Sequence, residues 1–217
     1  MKTNESVKTK ERTPAKSLFR GSSKTASIGG EDVMVVQREP VYQKRVPAAE
    51  REERAAFILI TRLLLPMSGF MNEAYKGVRS EFAGLNKVLS ANMASAVQGV
   101  YPALSLHYAK LLLTKGTLHV VAFPIAVSTS SGKLWFSWMD NSGITQALGS
   151  DLVFVVAYCE KLNHWIYCSA AATRSTRSCT LDVAAFHGHA VHTYIGCISA
   201  NRARTSESRY VGKVNIL

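Results

Sequence analysis

Acidic side chains are scarce in this sequence. Asp and Glu total 15 against 26 Lys and Arg, a formal charge of +11. Charge of either sign is also thin, at 19% of residues against ~25% in ordinary soluble domains, while 47% of the chain is apolar. Wholesale disorder, which needs much charge and little apolar surface, is excluded. The 217 residues can bury one or two modest cores. Long apolar runs are missing. The longest, Ala55 to Met67, is cut by Arg62 and falls short of the roughly 20 residues a bilayer helix needs, so no membrane span or membrane partner is expected. The first residues pass directly into Lys, Arg, Ser and Thr without an apolar h-region. The expectation is therefore residence in a cytoplasm, or in a particle assembled there.

Catalytic and metal-binding patterns are missing too. There is no GxSxG, and Gly29-Gly30 lies before a strand rather than in a GxxxxGK[ST] loop opening a helix. None of Cys159, Cys168, Cys179 and Cys197 forms a CxxC pair. They read as small buried hydrophobes, with a disulfide pair as the alternative. His187-Gly188-His189 with His192 is the densest group of metal-ligand types. Strand alternation puts His192 on the face opposite His189, so a turn with surface histidines is expected rather than a zinc site. No enzyme activity, cofactor or metal is expected.

What is present begins with a basic arm, residues 1–24. Lys2, Lys8, Lys10, Arg12, Lys16, Arg20 and Lys24 outnumber Glu5 and Glu11 there, for +5. A turn and one strand, Val33 to Arg38, follow and stop at Pro40. Pro47 opens a helix with a Glu50 to Arg54 pair and a stripe of Ala56, Phe57, Ile60, Leu63 and Leu64, which Pro66 ends. Ser68 and Ser80 are candidate caps of two further helices. Phe82, Leu85, Leu89, Met93 and Ala96 form one face of the last, and Gly99 terminates it.

From Tyr101 the apolar period shifts from 3.6 to 2. Leu104 to Tyr108, Lys110 to Thr114 and Leu118 to Phe123 read as short extended runs. Seven strands are then predicted: Ile125–Thr129, Lys133–Met139, Leu152–Cys159, His164–Ser169, Cys179–Val183, Ala190–Ser199 and Thr205–Val214. Ser131-Gly132, Asp140 to Gly143, Lys161 to Asn163, Gly188 and Asn201-Arg202 supply the turns. Strands at this spacing without helical period between them predict a β-sandwich. Leu134, Phe136 and Trp138 take its inner face. Leu152–Cys159, apolar on both faces, is a central strand that the helical block covers.

The segments Lys133 to Ser142, Asp151 to Tyr158, Ala172-Thr173-Arg174-Ser175 and Val191 to Ala200, with Tyr101-Pro102 and Lys110 to Gly116, resemble a Bacteroidota family known only as a domain of unknown function. The resemblance runs from about residue 17 to 214. Its glycine-rich opening is represented here by Phe19, Gly21, Lys24 and Val33 to Arg38, with fewer glycines. The last ninety or so residues also resemble a fibronectin type III or immunoglobulin-like sandwich, through the Trp in the second strand, the long third strand with its hairpin, and the Asn201 to Arg204 turn. Such modules act as spacers or binding platforms.

The expected architecture is thus α+β: a basic arm (1–24), a strand with a helical block (25–123) and a C-terminal antiparallel sandwich (124–217). The expected function is a non-enzymatic structural or interaction protein, a subunit of a larger assembly such as a virion or filament, with protein partners or self-association. The alternative is non-specific nucleic-acid binding by arm residues Lys8, Lys10, Arg12, Lys16, Arg20 and Lys24 together with loop residues Arg174, Arg177, Arg202 and Arg204, joined by Arg209. Trp135, Trp165 and Tyr167 could stack on bases, though in strands such rings belong more often to the core.

Overall fold

The computed structural model describes residues 19–28, 31–40, 47–75 and 83–217. The contributions expected of Lys8, Lys10, Arg12, Lys16, the Gly29-Gly30 reversal, Ser80 and Phe82 lie outside them. The chain divides into two units, Met1–Pro47 and Ala48–Leu217.

In the first unit β1 (Phe19–Ile28) pairs antiparallel with β2 (Glu31–Pro40), in a register running from Phe19 opposite Pro40 to Ile28 opposite Glu31. Arg20 and Lys24, expected in the basic arm, are strand residues. Residues 21–28, read from sequence as part of a turn before Val33, are extended. The sequence of β1 has neither alternation nor β-branched enrichment. Its extended form follows from backbone pairing with the valine-rich β2, which a local pattern does not reveal.

The second unit opens with α1 (Ala48–Leu64), carrying the Glu50–Arg54 pair. Pro66 does not stop the chain. It tightens residues Leu65–Met67 into a 3₁₀ turn, and α2 (Ser68–Ala74) continues without a side-chain cap. The resulting run, Ala48–Ala74, is long and apolar enough to cross a bilayer by length and composition, which the sequence expectation missed by counting only to Met67. One face of it, including Ile60, Leu64, Met67, Phe70 and Met71, is committed to the protein core. Phe57, placed on the buried stripe from sequence, is 47% exposed.

α3 (Ala83–Ser95) buries Val88, Leu89 and Asn92 and leaves Met93 half-exposed. Asn92 is tolerated inside because its amide donates to the carbonyls of Val88 and Leu112 and accepts from the Leu112 amide, at 2.7–2.9 Å. β3 (Val97–Gln98) and β4 (Ser105–Leu106) form a small ladder. The 107–121 segment is a connector with a 3₁₀ turn at Tyr108–Lys110, not the two strands expected.

Seven longer strands follow: β5 (Ala122–Ser130), β6 (Lys133–Met139), β7 (Leu152–Cys159), β8 (His164–Thr173), β9 (Ser178–Asp182), β10 (Ala190–Ile198) and β11 (Arg209–Asn215). They make two antiparallel sheets, ordered β5-β6-β9 and β11-β10-β7-β8. Strands one, two and five of the sandwich thus lie in one sheet and the other four in the second, which is the arrangement of a fibronectin III or immunoglobulin-like sandwich. The last strand starts later than expected. Residues 205–208 instead bond to the connector, with Thr114 Oγ1 donating to the Ser206 carbonyl and Ser208 Oγ accepting from the Leu113 amide.

Two cores share the four-stranded sheet. Leu134, Phe136 and Trp138 of β6 meet Val153, Val155, Ile195 and Cys197 between the sheets. On the other face Phe154, Val156, Trp165 and Tyr194 pack against the helices. β7 is therefore covered on both sides, as its continuous apolar run implies. The helical layer is also pinned by the Trp165 indole, which donates to the Leu63 carbonyl at 3.1 Å. Residues 48–123 and 124–217 consequently belong to one body rather than two domains.

Candidate interaction surface

The alternation of β6 points Lys133, Trp135, Ser137 and Met139 away from the core. Val127 pairs with Trp135 and Ile125 with Ser137, so these residues of β5 share the outer face. The size pattern of β5 is inverted. Its inward positions carry only Ala126 and Ser128, opposite Phe136 and Leu134, while the larger side chains face out. Ile125 is 52% exposed, Val127 41%, Met139 61% and Phe123 76%. The register slips between Ala122 and Ile125, and in that bulge Phe123 takes φ 47°, a left-handed conformation unfavourable for an aromatic residue. At the opposite rim Lys133 is paired with Asp182 at 2.6 Å. The centre of the face carries no charged side chain on β5 or β6.

The register also fixes which loops lie together. Leu152 is opposite Thr173 and Ile198, and Ser137 is opposite Ser178, so the β6–β7, β8–β9 and β10–β11 connections leave the sandwich at one end. All the loop arginines are at that end, but they play different parts. Arg174, expected on the surface, is fully buried. Its guanidinium lies 3.1 Å from Asp151 and donates to Asn141 Oδ1 and to the carbonyls of His119 and Leu148. Its own carbonyl accepts from the Trp138 indole at 2.8 Å. Arg174 is a staple of the loops, and no ligand can reach it. Arg202 is held beside Glu73 of α2, at 3.6 Å. Arg204 is half-buried, and Arg177 and Arg209 are exposed. Arg177 has φ 66° and its carbonyl accepts from the Trp138 amide, so it stands next to the end of the apolar face.

The histidines also sort differently from expectation. His187 is exposed, but His192 is buried, on the helix-side face of β10. Its ring stacks on Tyr108 at 4.2 Å, its Nδ1 lies 3.0 Å from the Tyr210 hydroxyl, and its Nε2 is 3.9 Å from Glu160 without a hydrogen bond. Burial, then the charge of Lys213, hold its pKa below the ordinary histidine value, with Glu160 opposing. Tyr194 beside it is pushed up by burial and donates to the Tyr108 carbonyl. Among the described residues no group of three or more His, Cys, Asp or Glu could hold a metal ion. Trp165 is buried and Trp135 and Tyr167 are partly exposed, on different faces, so the three do not make one stacking platform.

These features define the class, an α+β protein whose fibronectin III-like sandwich is covered by helices on one face and open on the other. Within that class the chain belongs to a family of unknown function, DUF6266, whose pattern it matches over residues 19–212. No curated protein matches the chain. A solved structure similar to it is that of the FN1–FN3 domains of chicken CNTN1, at 9% identity and a TM-score of 0.35, over 48% of this chain. The match spans about a third, 33%, of that protein's chain.

Proposed function

We propose that the protein is a non-enzymatic interaction protein that self-associates, or enters a larger particle or filament, by docking the outer face of β5-β6-β9 on another subunit. The observation that carries this reading is the exposed stripe of Phe123, Ile125, Val127 and Met139. A sandwich face without a partner normally places polar residues outward, and apolar patches of this kind mark contacts with other proteins. Electrostatics favours this face for contact between copies. Two chains of charge +11 repel, and a contact centred on uncharged side chains, with Lys133 already neutralised by Asp182, buries no unpaired charge. Aromatic residues, Met and Arg are enriched in interface cores, which suits Phe123, Met139 and Arg177.

The nucleic-acid reading keeps support from the overall charge, but it loses Arg174 to the interior and shares Arg202 with Glu73. Light scattering on the full chain, with and without duplex DNA, tests the choice. A defined oligomer without DNA is expected. A monomer that binds DNA with a log-log salt slope near −0.9 per phosphate contact would favour the alternative.

A further inference from the structure

The helical layer is apolar on its outside as well as its inside. α1 commits Ala56, Ile60, Leu63 and Leu64 to the core, and the opposite side of an ordinary surface helix is polar. Here that side carries Phe57 and Ile58, and Leu65 follows two turns on; Ile58 is 49% exposed and Leu65 59%. Phe57 and Ile58 also border two recesses. One, of about 480 Å³, lies between α1 and α3 and is walled by Glu53, Phe57, Leu89 and Met93. The other, of about 260 Å³, lies between α1 and the β3–β4 loop and is walled by Ile58, Pro102 and Leu104. This face is on the far side of the four-stranded sheet from β5-β6-β9, because the helices bury one face of that sheet and the three-stranded sheet buries the other. Residues 48–217 thus present two exposed apolar faces on opposite sides. The two are unlike. The β5 face projects Phe123, Ile125, Val127 and Met139, whereas the helical face offers recesses that can receive such side chains. The charges at their margins are opposite as well. Arg177 borders the first face and Glu53 the second; both are exposed, and neither is in an ion pair among the described residues, Arg54 beside Glu53 being taken by Glu50.

We propose that the outer face of α1 and α3 is the surface on which the β5-β6-β9 face of a second copy docks, so that the chain assembles head to tail. A contact between two unlike faces leaves each copy with one face free for the next. It therefore builds a ring where the rotation between copies closes and a filament where it does not. A two-fold contact between β5 faces would leave the helical face of every copy in water, whereas the head-to-tail contact covers both faces of each interior copy. It also sets the margin of Glu53 against that of Arg177, which like faces cannot do by themselves. The inference rests on the docking reading above and adds to it the surface that receives the β5 face.

The test is light scattering on the full chain, on Ile125→Lys, on Ile58→Lys and on an equal mixture of the two variants, with circular dichroism to confirm folding. Both substitutions are at exposed positions, and Val127→Lys and Phe57→Lys serve as the second pair if either variant fails to fold. The natural chain should reach three or more copies. Each variant alone should be monomeric, because a lysine cannot be buried in an apolar contact without a partner. The mixture should form a complex of two chains, one of each variant, and grow no further, since each supplies the face that the other lacks. If Ile125→Lys is monomeric and Ile58→Lys assembles like the natural chain, the docking reading stands and the head-to-tail contact is overturned. A natural chain that stops at two copies, or variants that do not combine when mixed, overturns it as well. A natural chain that is monomeric at all concentrations overturns both.

Discussion

At Arg174 a residue type that advertises a surface is in fact the best-satisfied group in the interior. A guanidinium keeps its charge under all ordinary conditions, so it can be buried only beside a carboxylate and several carbonyls, which Asp151, His119 and Leu148 provide. Breaking the pair leaves a buried charge unpaired. Arg174→Ala should therefore cost about 3–5 kcal/mol of unfolding free energy in urea titration. Arg177→Ala, at an exposed neighbouring position, should change it by less than about 0.5 kcal/mol. His192 gives a pH signature. Its folded pKa lies below the unfolded value of 6.5, so the unfolded chain binds more protons in this range. Stability is complete above about pH 6.5 and declines as pH falls through the histidine range. Denaturation between about pH 7 and pH 5 should show this decline, and His192→Gln should remove part of it.

The elements show how far local pattern carries. Strands β6, β7 and β10 were legible because inner and outer positions alternate, or because both faces are apolar. Trp138 is accordingly 5% exposed beside Phe136, as the spacing implied. Trp138→Ala should cost on the order of 3–5 kcal/mol, whereas Trp135→Ala, on the outer face, should cost well under that. Gly196 lies on central β10 because a Cβ there would run into the Phe154 ring. Gly196→Ala should lose about 1–3 kcal/mol through overpacking. Other features were hidden. β1 carries no period of its own, and Pro66 looks like a stop because a sequence does not show that a 3₁₀ turn can carry the helix onward. The candidate site was only half-legible. The alternation of Phe123, Ile125 and Val127 with small residues is written in the sequence, but which side faces water depends on the pairing with β6. Arg174 could not be placed without its partners at residues 119, 141, 148 and 151, which converge only in three dimensions.

At the scale of the whole molecule, one sheet belongs to two cores, with helices on one face and the second sheet on the other. Residues 48–217 hold both of those cores, so a chain restricted to them should fold cooperatively on its own, with a single unfolding transition by calorimetry. What this body leaves uncovered is the outer face of β5-β6-β9, and the central claim is that another subunit covers it. The most direct measurement is the molar mass in solution, by light scattering over a range of concentrations, of the full chain and of Ile125→Lys, with thermal melting as a control. A charge in the middle of an apolar contact cannot be buried without a partner. The account predicts a defined oligomer for the natural sequence, shifted toward monomer by Ile125→Lys, with the intrinsic fold intact in circular dichroism. A natural chain that stays monomeric at all concentrations, or an oligomer indifferent to Ile125→Lys, would contradict it.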